Sequence, residues 1–563
     1  MEEGLSRGAQ GVQNTVAMVG SIIVSDAVLL QILIEEGVLS RDCRLVCSGW
    51  ARAVESRIEN VHVSHVDFDG THLGRFLKSL PKLGALALDK RFRMAHIRAP
   101  SEQGAGGAGG AGGGGCGGER RGVGEGRNAK GRDEGEQLQH QQHTGTVRER
   151  EHEMIKAACA ALKIHCPPQL SASFCRLSVT ELESILNAVC IGTGGSLSAL
   201  DLSGNFFSVE GTRLLCAHSQ SLLNVTSLDL SSNDLKGPGV RELASCKELC
   251  AGLRKLAMCE NSLGPSDAPA VASLLESAPR LTWLDLGKSD MKTGYGQVFG
   301  LLADSSQLAT LKLRGANLQQ DAGCLLSEVL AHSSSLTELE ISKNSLNHVA
   351  AEALTSAISS NQGCELQRLD ISRNCLGAAG ATAFAEMLQG ARRLTITWLD
   401  MSENLIRPDG SMALAVAIRS AAARPLSSLM LSSNAIGPIG ANALAKALNG
   451  GGLRHLDVSN NSIDAEGAAK ICGAAALCTQ LCTLNIAFNR TGYEGVVPLE
   501  DSLLDWQRGA GRLMQLTVLD VSYNDIGSEP GHSYEWLKAA WRACPSLGNI
   551  LPTTWPSFKI RTM

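Results

Sequence analysis

Aromatic residues are scarce in this chain: Phe, Trp and Tyr make up 4% of its 563 residues. A single large core usually leans on bulky rings, so the scarcity points to many thin layers instead. No sign of charge dominates. Fifty-one basic residues face 56 acidic ones, for a net charge of −5, which argues against a general nucleic-acid surface. No apolar run reaches the roughly 20 residues that span a membrane. The stretch 16–25 (VAMVGSIIVS) follows Glu2 and Glu3, with Arg7 as the sole preceding basic residue, and is not read as a secretory signal. Chemistry-bearing motifs are also missing. Gly287-Lys288-Ser289 imitates the end of a P-loop, but position 282 is Thr and not the required glycine. There is no G-x-S-x-G, H-E-x-x-H or EF-hand loop, and the 13 histidines are scattered. The expectation is a non-enzyme with no catalytic residue, cofactor or metal site.

What the chain has instead is a recurring frame, L-x-L-x-x-N. It ends at Asn205, Asn233, Asn261, Asn344, Asn374, Asn404, Asn434, Asn461, Asn489 and Asn524, with Ser289 and Ala316 standing in twice. Successive positions lie 27 to 35 residues apart, a repeat period. The L-x-L half alternates as a short strand does. The half that follows, as in 440–448 (GANALAKAL) and 380–388 (GATAFAEML), carries alanine-rich helical spacing. One strand–turn–helix unit cannot bury its own apolar face, but stacked units bury it together. The asparagine amide is expected to bond backbone groups at the turn, and glycines six residues on, such as Gly410 and Gly467, lie at the crowded helix entry.

Residues 197–526 resemble the ribonuclease-inhibitor-like class of leucine-rich repeats, which includes Ran GTPase-activating proteins and the sensing arms of NOD-like receptors. The resemblance implies an α/β solenoid, a horseshoe with parallel strands on the concave face and helices on the convex face. It also implies a protein-binding role.

Earlier segments extend the pattern. Residues 61–68 and 83–88 read as strands, 170–175 fits the frame with Cys175 at the asparagine position, and 153–163 reads as a helix. The intervening Gly-rich and then charged tract, with few apolar residues, reads as disordered. The expected layout is a disordered 1–21, a small helical module at 22–57, first repeat units at 58–90, a disordered insertion at 91–150, the solenoid at 151–545, and a cap and tail at 546–563.

Segment 22–57 resembles an F-box through Asp26, Leu29, Leu30, Ile32, Leu33, Leu39, Asp42, Arg44, Leu45, Val46, Cys47 and Trp50, most tellingly in LVCSGWARAV. The Leu-Pro usual before the first helix is replaced by Val24-Ser25. The resemblance implies docking of a Skp-type adaptor of a cullin–RING ubiquitin ligase through Leu29, Leu30, Ile32, Leu33, Leu45, Val46 and Trp50. The other reading is a helical cap on the solenoid.

On the concave face, Trp283, Trp398, Phe488 and Tyr523 replace the small or polar residues of other repeats and are candidate partner anchors; the alternative is packing on neighbouring side chains. Asp370 and Asp400 belong to an acidic column that favours a basic partner, unless flanking serines satisfy it locally. Met430 interrupts that column. Arg254, Lys255, Lys288, Arg314, Lys343, Arg368 and Arg373 form a basic patch in the middle repeats.

The 18 cysteines include no C-x-x-C pair; Cys43/Cys47 and Cys246/Cys250 lie four apart, a poor zinc spacing. Most read as small core residues of a reducing, cytoplasmic or nuclear compartment. The leading expectation is a substrate receptor of a ubiquitin ligase, binding an adaptor and a protein substrate, with no nucleic acid and no membrane. A small-GTPase regulator is a rival, although the chain ends LPTTWPSFKIRTM without the acidic tail usual there. A plain scaffold or sensing arm is another.

Overall fold

The computed structural model describes strands Ile22–Ile23, Asn60–Ser64 and Ala85–Asp89, parts of 155–168, and residues 169–526 apart from short breaks. The chain falls into two compact units, Met1–Asn205 and Phe206–Met563.

In the first unit the three strands above (β1–β3) are followed by β4, Gln169–Ser171, and β5, Ala199–Asp201. They pair in parallel in chain order, with Ile22 opposite Val61, Leu86 opposite Leu170, and Leu170 opposite Leu200. Residues 155–156 and 158–160 are helical, as expected of 153–163, and precede β4. The reading of 22–57 as a module of short helices is corrected at its first two residues. Ile22 and Ile23 form a strand against Asn60–Ser64, consistent with the β preference of branched side chains. The rest of the F-box-like segment, the insertion at 91–150 and the tail at 546–563 lie outside the described residues.

The second unit repeats one module. Among the described residues its strands run from β6, Ser227–Asp229, to β16, Val518–Asp520, each three residues long and parallel to the next. The register places every central leucine beside the next, from Leu228 through Leu399 to Leu519. These leucines are buried. A helix follows most strands, for example Gly377–Gly390, Arg407–Ile418 and Gly437–Leu448. Small residues let these helices approach. A Cβ at Gly410 would lie 2.8 Å from the Ala381 Cβ of the preceding helix, and one at Gly467 would lie 3.0 Å from the Ala441 Cβ, tighter than ordinary contact between unbonded carbons.

The asparagines link unit to unit. Asn434 is fully buried. Its Nδ2 donates to the carbonyls of Leu431 and Ser432 in its own turn, at 3.0 and 3.2 Å, and to Met401 of the preceding repeat at 2.9 Å. Its Oδ1 accepts from the N–H groups of Asn404 and Ile406 at 2.8 and 3.3 Å. Asn461 and Asn489 do the same one and two repeats later. One side chain thus satisfies backbone groups that neither strand nor helix reaches.

The series is interrupted at Ser289 and Ala316. Ser289 Oγ is buried without a hydrogen-bond partner. The Tyr295 hydroxyl donates to the Ser289 carbonyl at 2.8 Å, and its ring stacks on Phe299 with centroids 5.1 Å apart. A phenol from the following helix thereby serves a carbonyl at the interrupted position. Asn434→Ala is expected to cost about 3–5 kcal/mol, since several buried polar groups lose partners at once. Ser289→Asn is expected to gain about 1 kcal/mol by reaching the same groups. Urea unfolding followed by circular dichroism checks both; equal stability of Asn434→Ala and wild type would refute the account.

Candidate partner-binding face

Each strand turns its leucine inward and its two flanking residues to the open face of the sheet. In register, the first flanking position of the second unit reads Ser227, Lys255, Trp283, Thr310, Glu338, Arg368, Trp398, Ser428, His455, Thr483 and Val518. The second reads Asp229, Ala257, Asp285, Lys312, Glu340, Asp370, Asp400, Met430, Asp457, Asn485 and Asp520.

The two tryptophans lie where expected, half-buried on the strands, but each already carries a cation of the chain. Lys255 Nζ stands 4.4 Å from the Trp283 ring centre and Lys312 Nζ stands 5.7 Å from it. The Arg368 guanidinium lies 3.5 Å from the ring centre of Trp398. Such contacts satisfy a ring face. Lys312 also pairs with Glu338 and Glu340 at 3.6 and 3.3 Å, and Arg368 with Glu338 at 3.5 Å. The basic patch is therefore partly neutralised, because Lys288 meets Glu260 at 2.6 Å and Arg373 meets Glu403 at 2.8 Å. The signal was in the sequence: these partners occupy the same repeat position 28 and 30 residues apart, and only reading down the column exposes them.

Phe488 and Tyr523 stand elsewhere. They occupy the turn just before the ladder asparagine, not the strand, with φ of +57° and +56°. In the equivalent turns stand Ser232, Lys343, Glu403 and Ser433, also left-handed. A bulky ring in that conformation is unusual. The two rings stack with centroids 4.1 Å apart and planes 13° apart, and they remain 52% and 71% exposed. They form a solvent-facing aromatic pair beside strands that carry Asp457, Asn485 and Asp520.

The acidic column is served locally, as flanking serines suggest. Asp370 Oδ1 accepts from the Ser372 N–H and hydroxyl at 3.0 and 2.7 Å. Asp400 accepts from the Ser402 N–H at 2.8 Å, Asp457 from Ser459 at 2.8 Å and Asp520 from Ser522 at 3.0 Å. Even so, burial raises the carboxyls of Asp285 and Asp400 above the ordinary range, against these hydrogen bonds, and neighbouring carboxylates add to the rise. The folded chain holds the Asp400 proton more tightly than the unfolded chain does. Charging it costs stability as pH rises from the unfolded value of about 3.9 through the folded one, and the cost persists above. Asn485 shows that an amide fits this position, because it accepts from the Ala487 N–H at 3.0 Å. Asp400→Asn is expected to melt higher than wild type near pH 7, with the advantage gone at about pH 3. Thermal melts at the two pH values check this, and a variant less stable at neutral pH would contradict it.

Among the described residues no group of three or more His, Cys, Asp or Glu is arranged to hold a metal. No helix there is long and apolar enough to cross a membrane.

The family described as Leucine Rich repeat matches residues 221–244, 364–385, 422–445, 453–472 and 513–529. Human NACHT, LRR and PYD domains-containing protein 13 is 30% identical over 183 residues, covering 32% of this chain and 17% of that protein. The Macaca mulatta NACHT, LRR and PYD domains-containing protein 3 is 31% identical over 243 residues, covering 38% and 22%. Bos taurus Tonsoku-like protein is 29% identical over 213 residues, covering 36% and 15%. The chain thus spans less than a quarter of each of these relatives. Among solved structures, one of a yeast Rad7 and Elc1 complex covers 71% of this chain and 96% of its own, at 15% identity and a TM-score of 0.37. A Listeria monocytogenes internalin covers 62% and 83%, at 17% identity and a TM-score of 0.33. The matched segments fall on the strand–turn–helix units that the asparagines join, and the chain is a leucine-rich repeat protein.

Proposed function

We propose that this chain is a protein-binding receptor whose partner docks on the open face of the second unit, with the Phe488–Tyr523 pair as anchor. The exposed stacked pair is the observation that carries this reading. Trp283 and Trp398 are capped by the chain's own Lys255 and Arg368, whereas Phe488 and Tyr523 offer large exposed areas next to carboxylates. Rings beside acidic groups fit a partner segment bearing Arg or Lys. The column from Asp370 through Asp400 and Asp457 to Asp520 extends that preference along the face, and Met430 adds an adaptable apolar contact within it.

The finer reading is a substrate receptor of a cullin–RING ubiquitin ligase in the cytoplasm or nucleus. It rests on the F-box resemblance of 22–57, where Leu29, Leu30, Ile32, Leu33, Leu45, Val46 and Trp50 would meet a Skp-type adaptor. The chain itself would then perform no chemistry: it would hold a protein for ubiquitin transfer by the ligase. A repeat arm of the kind found in the NACHT, LRR and PYD relatives is the rival, and adaptor binding separates the two.

Purified adaptor is expected to co-precipitate with the wild-type chain and not with a Leu29→Ala, Leu33→Ala, Trp50→Ala variant. A folded wild-type chain that binds no adaptor would overturn the ligase reading. Separately, proteins captured from cells by the wild type are expected to be lost from a Phe488→Ala, Tyr523→Ala variant. Truncating an anchor ring costs about 2 kcal/mol or more, which is roughly a 30-fold loss of affinity. Partner capture that is indifferent to both rings would remove them as the anchor.

A further inference from the structure

The cations of the middle repeats divide into engaged and unengaged ones. Lys255 and Arg368 stand over Trp283 and Trp398. Lys288 and Arg373 are paired with Glu260 and Glu403, and Lys312 is shared by Glu338 and Glu340. Arg254 lies apart, ahead of the strand Lys255–Ala257. Arg314 and Lys343 remain. Both are exposed, and no carboxylate among the described residues pairs with either.

They belong to one row of turns. The strand register, carried past the second leucine, puts Glu260, Lys288, Gly315, Lys343, Arg373 and Glu403 side by side, all in left-handed backbone. Backbone hydrogen bonds tie the turns together. The Lys288 N–H donates to the Arg314 carbonyl at 2.8 Å, the Gly315 N–H to Ser342 at 2.8 Å and the Lys343 N–H to Ser372 at 2.9 Å. Acid meets base at both ends of the row. In the middle a glycine separates two lysines, with Arg314 immediately before it. A Cβ on Gly315 would lie 3.7 Å from Lys288 Cγ and 4.0 Å from Lys343 Cδ, so both lysine stems flank bare backbone. The row has a gap where a carboxylate would meet cations on either side.

We propose that this gap docks an acidic segment of a partner protein, one carboxylate of which lies over Gly315 and accepts hydrogen bonds from Arg314 and Lys343, with Lys288 shared between it and Glu260. Charge complementarity calls for an anion, and the extent of the gap says which kind. Adjacent strands are about 4.8 Å apart, so Lys288 to Lys343 spans about 10 Å, room for one or two acidic side chains. A nucleic acid needs a longer run of cations to neutralise successive phosphates. Here it would meet Glu260 and Glu403 at the ends of the row, and Asp285, Glu338 and Glu340 on the strands alongside. That the occupant is a protein rests on the docking reading of the open face given above. The partner then carries basic groups for the Phe488–Tyr523 end and acidic ones for the middle repeats.

The probe is a fluorescein-labelled octaglutamate peptide, titrated with the full chain at low salt and followed by anisotropy. The wild type is expected to bind it, and an Arg314→Ser, Lys343→Ser variant to bind about tenfold more weakly. Serine already fills the equivalent positions at Ser342 and Ser433, so the fold accepts it. Gly315→Glu keeps every cation and supplies the carboxylate from the chain itself, in the left-handed turn that Glu403 also adopts. It is expected to weaken the peptide by a similar factor. Carbodiimide coupling of the peptide to the wild type, mapped by mass spectrometry, is expected at Lys343 and depends on no variant. A Phe488→Ala, Tyr523→Ala variant is expected to bind the peptide as the wild type does, so failure of the ring anchor and failure of this site read out separately. No binding by the wild type, coupling confined to other lysines, unchanged affinity in both charge variants, or tighter binding of octathymidylate than of the peptide would each overturn the proposal.

Discussion

Everything in the second unit depends on one amide placed where the chain leaves the strand. A three-residue strand makes too few ladder hydrogen bonds to hold its turn, and the turn's backbone is then buried by the next repeat. Asn434 resolves this with five hydrogen bonds, some to its own turn and some to the preceding repeat. Its geometry sets the distance between units and requires left-handed backbone on both sides, as at Ser433 and Ala435. That conformation is costly for side chains other than glycine, and it recurs because the amide network fixes it.

The same constraint explains what was legible in the sequence. A periodic asparagine between a leucine pair and an alanine-rich helix has one physical use, so strands and helices could be placed from spacing alone. The break at Ser289 was equally visible, but its repair was not. Tyr295 reaches the Ser289 carbonyl across the turn, and nothing in a six-residue spacing announces that bond. Other misses have one cause: a side chain's neighbour in a solenoid lies a full repeat away. Lys255 over Trp283 and Arg368 over Trp398 are column relations, invisible along the row. Trp398 therefore reads as an exposed anchor in the sequence and as a covered ring in the fold. Ile22–Ile23 is a different miss, where strand pairing with Asn60–Ser64 prevails in a segment whose clustered aliphatics suggested helix.

Placement also separates structural from available chemistry on the open face. An aspartate two residues before a serine accepts the serine N–H and so terminates its own strand, as Asp370 and Asp520 do. This use engages one carboxylate oxygen and keeps the negative charge. The column is therefore both a set of turn locks and an acidic stripe. Burial makes the charge expensive at Asp400, and a cation from a partner would lower that expense. The cost in the free chain and the preference for a basic partner are two sides of one electrostatic balance.

The rings of Phe488 and Tyr523 bear on the same question from the side of strain. Serine, lysine and glutamate fill the equivalent turn in other repeats of the second unit, so the fold asks for no ring there. Rings in left-handed backbone, exposed to water and stacked on each other, add little to the core beneath them. A feature that costs conformational energy and returns little packing is expected where function requires it. The capped tryptophans show the opposite arrangement, large rings whose faces the chain covers with its own cations. On one continuous sheet the chain has thus closed the aromatic surface in its middle repeats and left a stacked pair open near the last described strands.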